Sequence, residues 1–507
     1  AKDFKFGGKW PDPAGMLDYV HGSGMKVLLW QIPVLKYTRY HHVQKDNDEE
    51  YMVQKGFAVK DAWGNPYRLP EDKWFSKSLL VDFTNPQASQ WWLSKRQYLF
   101  DDIEIDGFKT DGGEMVYDKG CSFHNGMWGT EMRSRYPNEY IGAYYRFARA
   151  IKPDAITFSR AGTAGAQKSG IYWAGDQSSD FSAFKQVLTA GLTAGMSGLP
   201  YWGWDLAGFC EELPSPELYK RSVEMAAFCP IMQFHSMYPD PQPCEERSPW
   251  NVEERTGDSS ITKIFSRYVN VRMNLLPYIY SEARKSGITG IPLMRAMFIE
   301  YPYDSNTYGL TTQYMFGDNL LVAPVAEKGL RERNIYLPEG DWINFWSGMH
   351  LKGGRYISCP TGVDDIPVFV KASAILPMNL NSSYELGGTI GNRLDSYDNL
   401  TFRIYPSGVS SYDWFDDVHS AVRTITSEKD LKSGTTVLHI PEVPVNSTLQ
   451  VFIDVPSSVK LDSGELTKYQ SFEQLKDIQE GWYYNTDESY LYIRIKPGIS
   501  KRMVTIR

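Results

Sequence analysis

Residues 106–114, which read DGFKTDGGE, place two acidic side chains, Asp111 and Glu114, directly after a short apolar run. Two glycines follow Asp111, and their lack of side-chain bulk lets a ligand approach the carboxylate closely. Lys109 lies two residues earlier on the same face of the predicted strand, where its charge favours the ionised acid. The stretch leaves two interpretations open: a reactive carboxylate at a strand end, or a polar turn in which Asp111 binds backbone amides.

Short apolar strands alternate with helical patterns over roughly the first 300 residues. Such alternation predicts a parallel sheet with helical crossovers, and polar residues at the strand ends are typical of the catalytic face of a (β/α)8 barrel. The predicted barrel strands are residues 26–32, 105–110, 155–159, 170–173, 198–202 and 291–297. The predicted helices are residues 138–151, 182–194, 215–228 and 261–286. Because a barrel of this type needs eight strands, either the pattern misses two strands or an N-terminal part of the native protein lies outside this chain, and we favour the second.

The pattern changes near residue 300, where alternating strands with Gly, Pro and Asn turns replace the helical pattern. We therefore predict a catalytic barrel over residues 1–300, with six of its eight strands and a polar insertion loop at about residues 38–80. Two antiparallel β-domains follow in the prediction. The proximal β-sandwich covers residues 301–385 and the distal β-domain covers residues 386–507.

The composition and charge of the chain limit the kinds of partner and of metal site that the sequence predicts. The 507 residues carry a net charge of −8, which gives no reason to expect nucleic acid or an anionic membrane as partner. No apolar run reaches the roughly 18 residues of a membrane span, and residues 1–20 do not read as a signal peptide. The five cysteines and eight histidines follow no metal-binding or redox spacing, so no metal site is predicted. The sequence leaves the cellular location open.

A second carboxylate, Asp176, ends another predicted strand three residues after Trp173. An aromatic neighbour lowers the local polarity and favours a protonated carboxyl group near neutral pH, as a general acid requires. The stretch DQSSD also precedes a helical run, so a helix N-cap explains Asp176 equally well from the residues alone.

Other polar and aromatic residues fall at the same ends of successive predicted strands. Arg160 could donate to sugar hydroxyls and to a carboxylate. His235 lies on a loop beyond a helix and, taken alone, favours a structural role. Aromatic residues make up 14% of the chain, which suits either sugar rings or a large aromatic core. Further residues at these ends are Trp204 and Asp205.

Eight motifs follow one another in a known order, and together they resemble glycoside hydrolase family 31. The motifs are WPDPAGML (10–17), DFTNPQASQWW (82–92), GFKTDGGE (107–114), FSRAGTAGAQK (158–168), YWAGDQSSDF (172–181), GWDLAGF (203–209), MFGDNLLVAPV (315–325) and IPVFVKASAILPM (366–378). Single motifs are weak signals, but eight in family order extend over nearly the whole chain.

The resemblance implies roles for individual residues. Asp111 matches the family nucleophile and Asp176 the general acid/base, while Glu114 closes the nucleophile motif. The positions that match the sugar pocket are Trp30, Lys109, Arg160, Asp205 and His235, and Trp173 and Trp204 are expected to add apolar walls. The implied function is a retaining, exo-acting α-glycoside hydrolase of the α-glucosidase type, with a small carbohydrate as partner and no metal or organic cofactor. An α-glucosyltransferase and an α-xylosidase of the same family are alternatives, and a non-catalytic carbohydrate-binding protein is a weaker one.

The sequence departs from the family pattern at several positions. Gln233 stands where the family usually has an arginine, in the stretch QFH, and Lys109 and Gly112 replace the bulky residues of many α-glucosidases. These departures leave the sugar specificity open. The resemblance also implies an N-terminal β-sandwich and two barrel strands that this chain lacks, so we expect an N-terminal fragment of the same protein to complete the barrel.

Overall fold

The computed structural model describes residues 10–209, 212–237 and 245–507. Cys210 and Cys244 therefore lie outside the described residues. The chain forms two compact units, Ala1–Gly175 and Asp176–Arg507.

Four parallel strands form the sheet of the first unit, and each confirms a strand predicted from the sequence. In sheet order they are Leu28–Gln31, Gly107–Thr110, Ile156–Ser159 and Ile171–Trp173. The helices of this unit are Pro13–Gly22, Val43–Gln54, Pro86–Ser94, Gln97–Asp101 and Gly129–Ile151. Because the strands are parallel, their carboxyl ends lie at one edge of the sheet, and Asp111 directly follows the second strand.

Gly107 allows the second strand to pair with the third. Its φ of 149° is open to glycine, and a Cβ atom there would lie 2.0 Å from the carbonyl oxygen of Ile156. Further along the same pair, the hydroxyls of Thr110 and Ser159 lie 2.6 Å apart and are joined by a hydrogen bond. The strand that leads to Asp111 is thus fixed at both ends by its neighbour.

The helix Gly129–Ile151 begins well before the predicted start at residue 138. Pro137 lies inside this helix, although proline usually disfavours a helix interior. Buried tyrosines on this helix hold the end of the first strand: the Tyr140 hydroxyl donates to the Gln31 carbonyl at 3.0 Å, and the Tyr144 hydroxyl donates to the Gln31 side chain at 2.9 Å.

The predicted insertion loop at residues 38–80 is a folded segment with its own apolar core. It contains the helix Val43–Gln54, and Leu79–Leu80 pairs with Val34–Leu35. Met52, Val59 and Leu69 are each no more than 2% exposed. The sequence indicated a loop because the segment is polar, with the acidic stretch KDNDEE and the turn AWGNP.

The second unit begins with barrel-type segments. Its helices are Phe181–Met196, Pro216–Ala226, Pro249–Thr256, Ile261–Asn274, Leu276–Thr289, Met297–Glu300 and Phe472–Leu475. The long helix predicted at residues 261–286 is two helices, because Pro277 opens the first turn of a new one. Among the described residues, no helix combines the length and apolar character that crossing a membrane requires.

The predicted barrel strand at residues 291–297 is wrong as a barrel strand. Met294–Ala296 pairs antiparallel with Tyr314–Phe316 and so belongs to a C-terminal sheet. An apolar run of this length reads the same in a parallel or an antiparallel sheet, so the sequence could not separate the two.

The strand predicted at residues 198–202 is displaced to Trp202–Gly203. A short segment that the sequence did not indicate, residues 231–233, runs parallel to the chain that follows this strand. The Ile231 amide donates to the Trp202 carbonyl at 3.2 Å, and the Leu206 amide donates to the Gln233 carbonyl at 3.1 Å.

The C-terminal part consists of β-sheets, as predicted. A six-stranded antiparallel sheet contains, in order, Met294–Ala296, Tyr314–Phe316, Leu320–Val322, Val368–Lys371, Asp341–Asn344 and His350–Lys352. The pair Glu332–Leu337 and Arg355–Pro360 adds further strands. Side chains from both sets, including Leu321, Ile335 and Trp342, form a shared core.

Two further sheets follow, one of five strands and one of six. One contains Ile375–Asn379, Leu400–Ile404, Ser447–Phe452, Tyr490–Ile495 and Gly481–Asn485, and the other contains Val409–Asp416, Ala421–Lys429, Thr436–Ile440, Arg502–Ile506, Val459–Leu461 and Gly464–Glu465. One pair, Leu400–Ile404 with Ser447–Phe452, is parallel. The chain passes from the proximal to the distal sheets between Lys371 and Ile375, and the domain division at residues 300 and 385 remains a proposal.

A buried acid, Asp106, directly precedes the strand that leads to Asp111. Asp106 is 4% exposed and accepts hydrogen bonds from the Val27 amide and His21 Nε2, both at 2.8 Å, and from Lys152 Nζ at 2.5 Å. Burial opposes the charge, but the Lys152 ammonium, the Val27 amide and His21 outweigh it and hold the pKa of Asp106 well below its usual value.

Replacing Asp106 should therefore destabilise the first unit. We expect Asp106→Asn to lower the free energy of unfolding at pH 7 by about 3 kcal/mol, because Lys152, His21 and the Val27 amide lose their buried, charged partner. Since the native pKa of Asp106 is lowered, its stabilisation is complete above about pH 4 and decreases as the pH falls through the native pKa. Urea unfolding should show a difference in the free energy of unfolding between the wild type and Asp106→Asn that is smaller at pH 3 than at pH 7.

Asp154→Asn is the matched control, since the Asp154 side chain is 65% exposed and lies 3.8 Å from Lys26. It should change the free energy of unfolding by less than about 0.5 kcal/mol. Equal urea midpoints for the wild type and Asp106→Asn at pH 7 would contradict the proposed role of the cluster.

Candidate active site

Three donors hold the carboxylate of Asp111, which is 8% exposed. Trp30 Nε1 donates to Oδ2 at 2.8 Å, the Gly112 amide donates to Oδ1 at 2.7 Å, and Arg160 Nη1 lies 3.3 Å from Oδ1. The Gly112 contact is the turn interaction that the sequence left open. The indole and the guanidinium come from the ends of two neighbouring strands, and a turn does not need them. These contacts therefore fix the carboxylate at the strand end with donors on both oxygens.

Arg160 contacts both acids of the DGFKTDGGE stretch. Its Nε donates to Glu114 Oε1 at 3.2 Å while Nη1 faces Asp111. The guanidinium also lies over the ring of Trp74, 5.2 Å from its centroid. The arginine predicted from the sequence is thus fixed by two carboxylates and one aromatic face.

Lys109 lies differently from the sequence expectation. Its ammonium is 4.4 Å from the centroid of the Trp173 ring, and Arg160 is the cation in contact with the Asp111 carboxylate. Trp173 is 2% exposed and packs against Phe158, with ring centroids 4.9 Å apart. Lys109 and Trp173 therefore form a packed cation–aromatic pair under the sheet edge.

An aromatic group that sequence reasoning missed lies beside Asp111. Trp74 is 44% exposed, and its ring meets Trp30 edge-on with centroids 6.3 Å apart. The next residue, Phe75, packs on Trp74 at 4.7 Å and has a φ of 57°, which is strained for an aromatic residue. The aromatic pair in EDKWFSK (71–77) was the available signal, but nothing in the sequence linked the insertion to Asp111.

A buried acid marks the barrel-type part of the second unit. Asp205 is fully buried, and Gln233 Nε2 donates to its Oδ1 at 2.9 Å. Gln233 is the residue that departs from the family pattern. It supplies a hydrogen bond to Asp205 without the positive charge that an arginine would bring.

The remaining predicted site residues of this unit differ in exposure. Asp176 is exposed, directly after Gly175. His235 is half-buried and meets Phe209 edge-on, with ring centroids 4.5 Å apart. Trp204 is 2% exposed and stacks on Phe184 at 5.4 Å, so its ring is packed in the interior.

Comparison with known proteins gives the family. Residues 1–282 match the model of the glycosyl hydrolases family 31 TIM-barrel domain, and residues 290–376 match that of the glycosyl hydrolase family 31 C-terminal domain. The chain belongs to glycosyl hydrolase family 31, with a barrel region followed by C-terminal β-sheet domains.

Individual relatives are similar over different lengths. An isomaltosyltransferase of Sporosarcina globispora is 54% identical over 99% of this chain and 46% of its own length. A 1,3-alpha-isomaltosidase of Kribbella flavida is 40% identical over 74% of this chain and 52% of its own length. A cycloalternan-forming enzyme from Listeria monocytogenes, solved with a pentasaccharide substrate, is 48% identical over 100% of this chain and 48% of its own, with a TM-score of 0.97. The chain spans about half the length of these relatives.

Gly112 tests the packing beside Asp111. It has a φ of 68°, and a Cβ atom there would lie 3.0 Å from Met115 Cε and 3.4 Å from the Trp74 ring. We expect Gly112→Ala to destabilise the protein by about 2 kcal/mol, from the left-handed backbone and the crowding together. Thermal unfolding measures the loss.

Gly64→Ala provides the matched control, because Gly64 has a φ of 87° and a Cβ atom there would meet nothing within 4 Å. Gly64→Ala should lower the stability by about 1 kcal/mol, from the left-handed backbone conformation alone. If both variants lowered the melting temperature equally, Trp74 and Met115 would not pack against this turn.

Proposed function

We propose that this chain carries the catalytic residues of a retaining, exo-acting enzyme on α-glucosidic bonds, and that it transfers an isomaltosyl unit to a sugar acceptor. The observation that supports this most is the Asp111 carboxylate at a strand end, held by Trp30, Gly112 and Arg160. The sequence prediction placed hydrolysis before transfer. The 54% identity to an isomaltosyltransferase favours transfer, with hydrolysis as the second outcome of the same chemistry.

In the first step Asp111 attacks the anomeric carbon of the donor sugar. A carboxylate–carbon bond forms as the glycosidic carbon–oxygen bond breaks, and Asp176 gives its proton to the leaving oxygen. Forming the ester removes the negative charge of Asp111. Of the two acids that contact the Arg160 guanidinium, Glu114 then remains as its carboxylate partner. Glu114 thus keeps the arginine in place through the reaction.

In the second step an acceptor hydroxyl attacks the glycosyl ester. Asp176, now a carboxylate, takes the hydroxyl proton, and Asp111 leaves as a carboxylate with its three donors in place. Two inversions retain the anomeric configuration. A sugar acceptor gives transfer and water gives hydrolysis, so the groups that bind the acceptor set the outcome.

Around this pair we propose that Trp30, Lys109, Arg160, Asp205 and His235 bind the sugar. Trp173 and Trp204 are packed in the interior and so position their neighbours, such as Lys109 and Phe184. Trp74 joins the set as an exposed aromatic face beside Asp111. Because the chain spans about half of its relatives, we propose that another part of the same protein completes the barrel and the pocket.

Removing either acid separates the two roles. Asp111→Ala in the full-length protein should lower kcat by at least about 10⁴-fold on any donor, because no ester can form. Asp176→Ala should reduce turnover of an oligosaccharide donor far more than that of an activated aryl glycoside, whose leaving group needs no proton. Steady-state rates on both donors measure the difference.

Asp154→Ala serves as the control for both variants, since its side chain is 65% exposed. It should keep full activity. Near wild-type turnover of an unactivated oligosaccharide by both Asp111→Ala and Asp176→Ala would disprove the assignment.

Product analysis distinguishes transfer from hydrolysis. With panose as both donor and acceptor, transfer of an isomaltosyl unit should release glucose and form products longer than panose from the earliest time points. Chromatography with mass detection follows both. Isomaltose and glucose in equal amounts, with no longer product, would make the enzyme a hydrolase.

A further inference from the structure

A cleft of about 510 Å³ lies within the C-terminal β-sheets, and its lining includes none of the residues proposed for catalysis. One wall is the hairpin Asp341–Asn344 and His350–Lys352 of the six-stranded sheet. The other wall comes from turns of the distal sheets at residues 405–407, 429–431 and 452–454. Its volume falls in the range of about 300–1,000 Å³ that is usual for small-molecule sites.

The floor of this cleft is a stack of rings. His350 lies on Phe452 with centroids 5.2 Å apart and planes 27° apart. Phe452 in turn packs against Tyr405 at 5.7 Å and Tyr490 at 5.2 Å. Gly348 allows this contact, because a Cβ atom there would lie 3.3 Å from the Phe452 ring. Tyr405 and Tyr490 thus support Phe452, and the imidazole of His350 forms the exposed end of the stack.

The charges that line the cleft balance. Lys352 pairs with Asp341 at 2.5 Å, and Lys429 and Asp454 add one charge of each sign. The four charged side chains therefore sum to zero. A cleft of this kind favours neither an anion nor a cation, yet it offers donors and acceptors around a flat apolar floor.

We propose that this cleft is a second carbohydrate-binding site, which takes a neutral α-glucan oligosaccharide. The C–H face of a glucose ring packs on the His350–Phe452 stack, and its hydroxyls bind Lys429, Asp454 and Ser407. The class of ligand rests on the proposed function, because the chain would then hold the same glucan that it processes. Neither Asp111 nor Asp176 lines the cleft.

Chemical labelling of histidine tests the site directly. The full-length protein with Asp111→Asn, which leaves the sugar intact, is treated with diethyl pyrocarbonate in the presence of maltohexaose or of sorbitol. Peptide mass spectrometry then gives the labelling rate of each histidine. His439, on a strand of the distal sheet with its side chain 48% exposed, is the internal control.

We expect maltohexaose to slow the labelling of His350 in a saturable way, while His439 is unaffected and sorbitol has no effect. Asp454→Ala should raise the half-saturating concentration about tenfold, the equivalent of one charge-assisted hydrogen bond. Asp395→Ala, whose side chain is 81% exposed outside the cleft, should leave it unchanged.

Equal labelling of His350 with and without maltohexaose would overturn the proposal, as would equal protection of His439. This outcome is independent of catalysis. If the Asp111→Asn protein still turned over the sugar, the proposed function would fail, whereas protection of His350 would still support the cleft as a binding site.

Discussion

The Asp111 carboxylate and its three donors are the interaction on which the site depends. The nucleophilic role proposed for Asp111 requires a charged carboxylate that is largely removed from water, and burial opposes such a charge. The Trp30 indole, the Gly112 amide and the Arg160 guanidinium compensate for the lost hydration. The indole and the guanidinium follow from the parallel sheet, because Trp30 and Arg160 stand at the ends of the strands that flank the one leading to Asp111.

The helix Gly129–Ile151 and the cluster at Asp106 support this arrangement from opposite ends of the strands. Tyrosines of the helix bind Gln31, the neighbour of Trp30, and so fix where the indole lies. Asp106 directly precedes one strand and binds the Val27 amide, which precedes the neighbouring strand. It also binds Lys152, the residue that follows the helix. The position of the carboxylate therefore depends on packing and charge well outside the site.

Much of this was predictable from the sequence. The four strands of the first unit have apolar runs bounded by turn residues, and the eight ordered motifs identified the family. The sequence-based prediction was wrong or incomplete where a residue pattern does not show which segments meet in the fold. The run at residues 291–297 has a strand's composition but an antiparallel partner, and Trp74 lies in a polar insertion that only the fold brings to Asp111. Trp173 and Trp204 were expected to line a pocket, and burial packs both in the interior, because composition cannot distinguish a core indole from an exposed one.

The central claim is that Asp111 forms a covalent ester with the donor sugar, and trapping that ester tests it most directly. A fluorinated glucosyl fluoride forms the intermediate quickly and releases it slowly, so the ester accumulates. Tryptic digestion cleaves after Lys109 and Lys119, and the account predicts that peptide 110–119 gains the mass of one fluoroglucosyl group on Asp111. A label on any other residue, or turnover of the reagent through an intermediate that never includes this peptide, would contradict it.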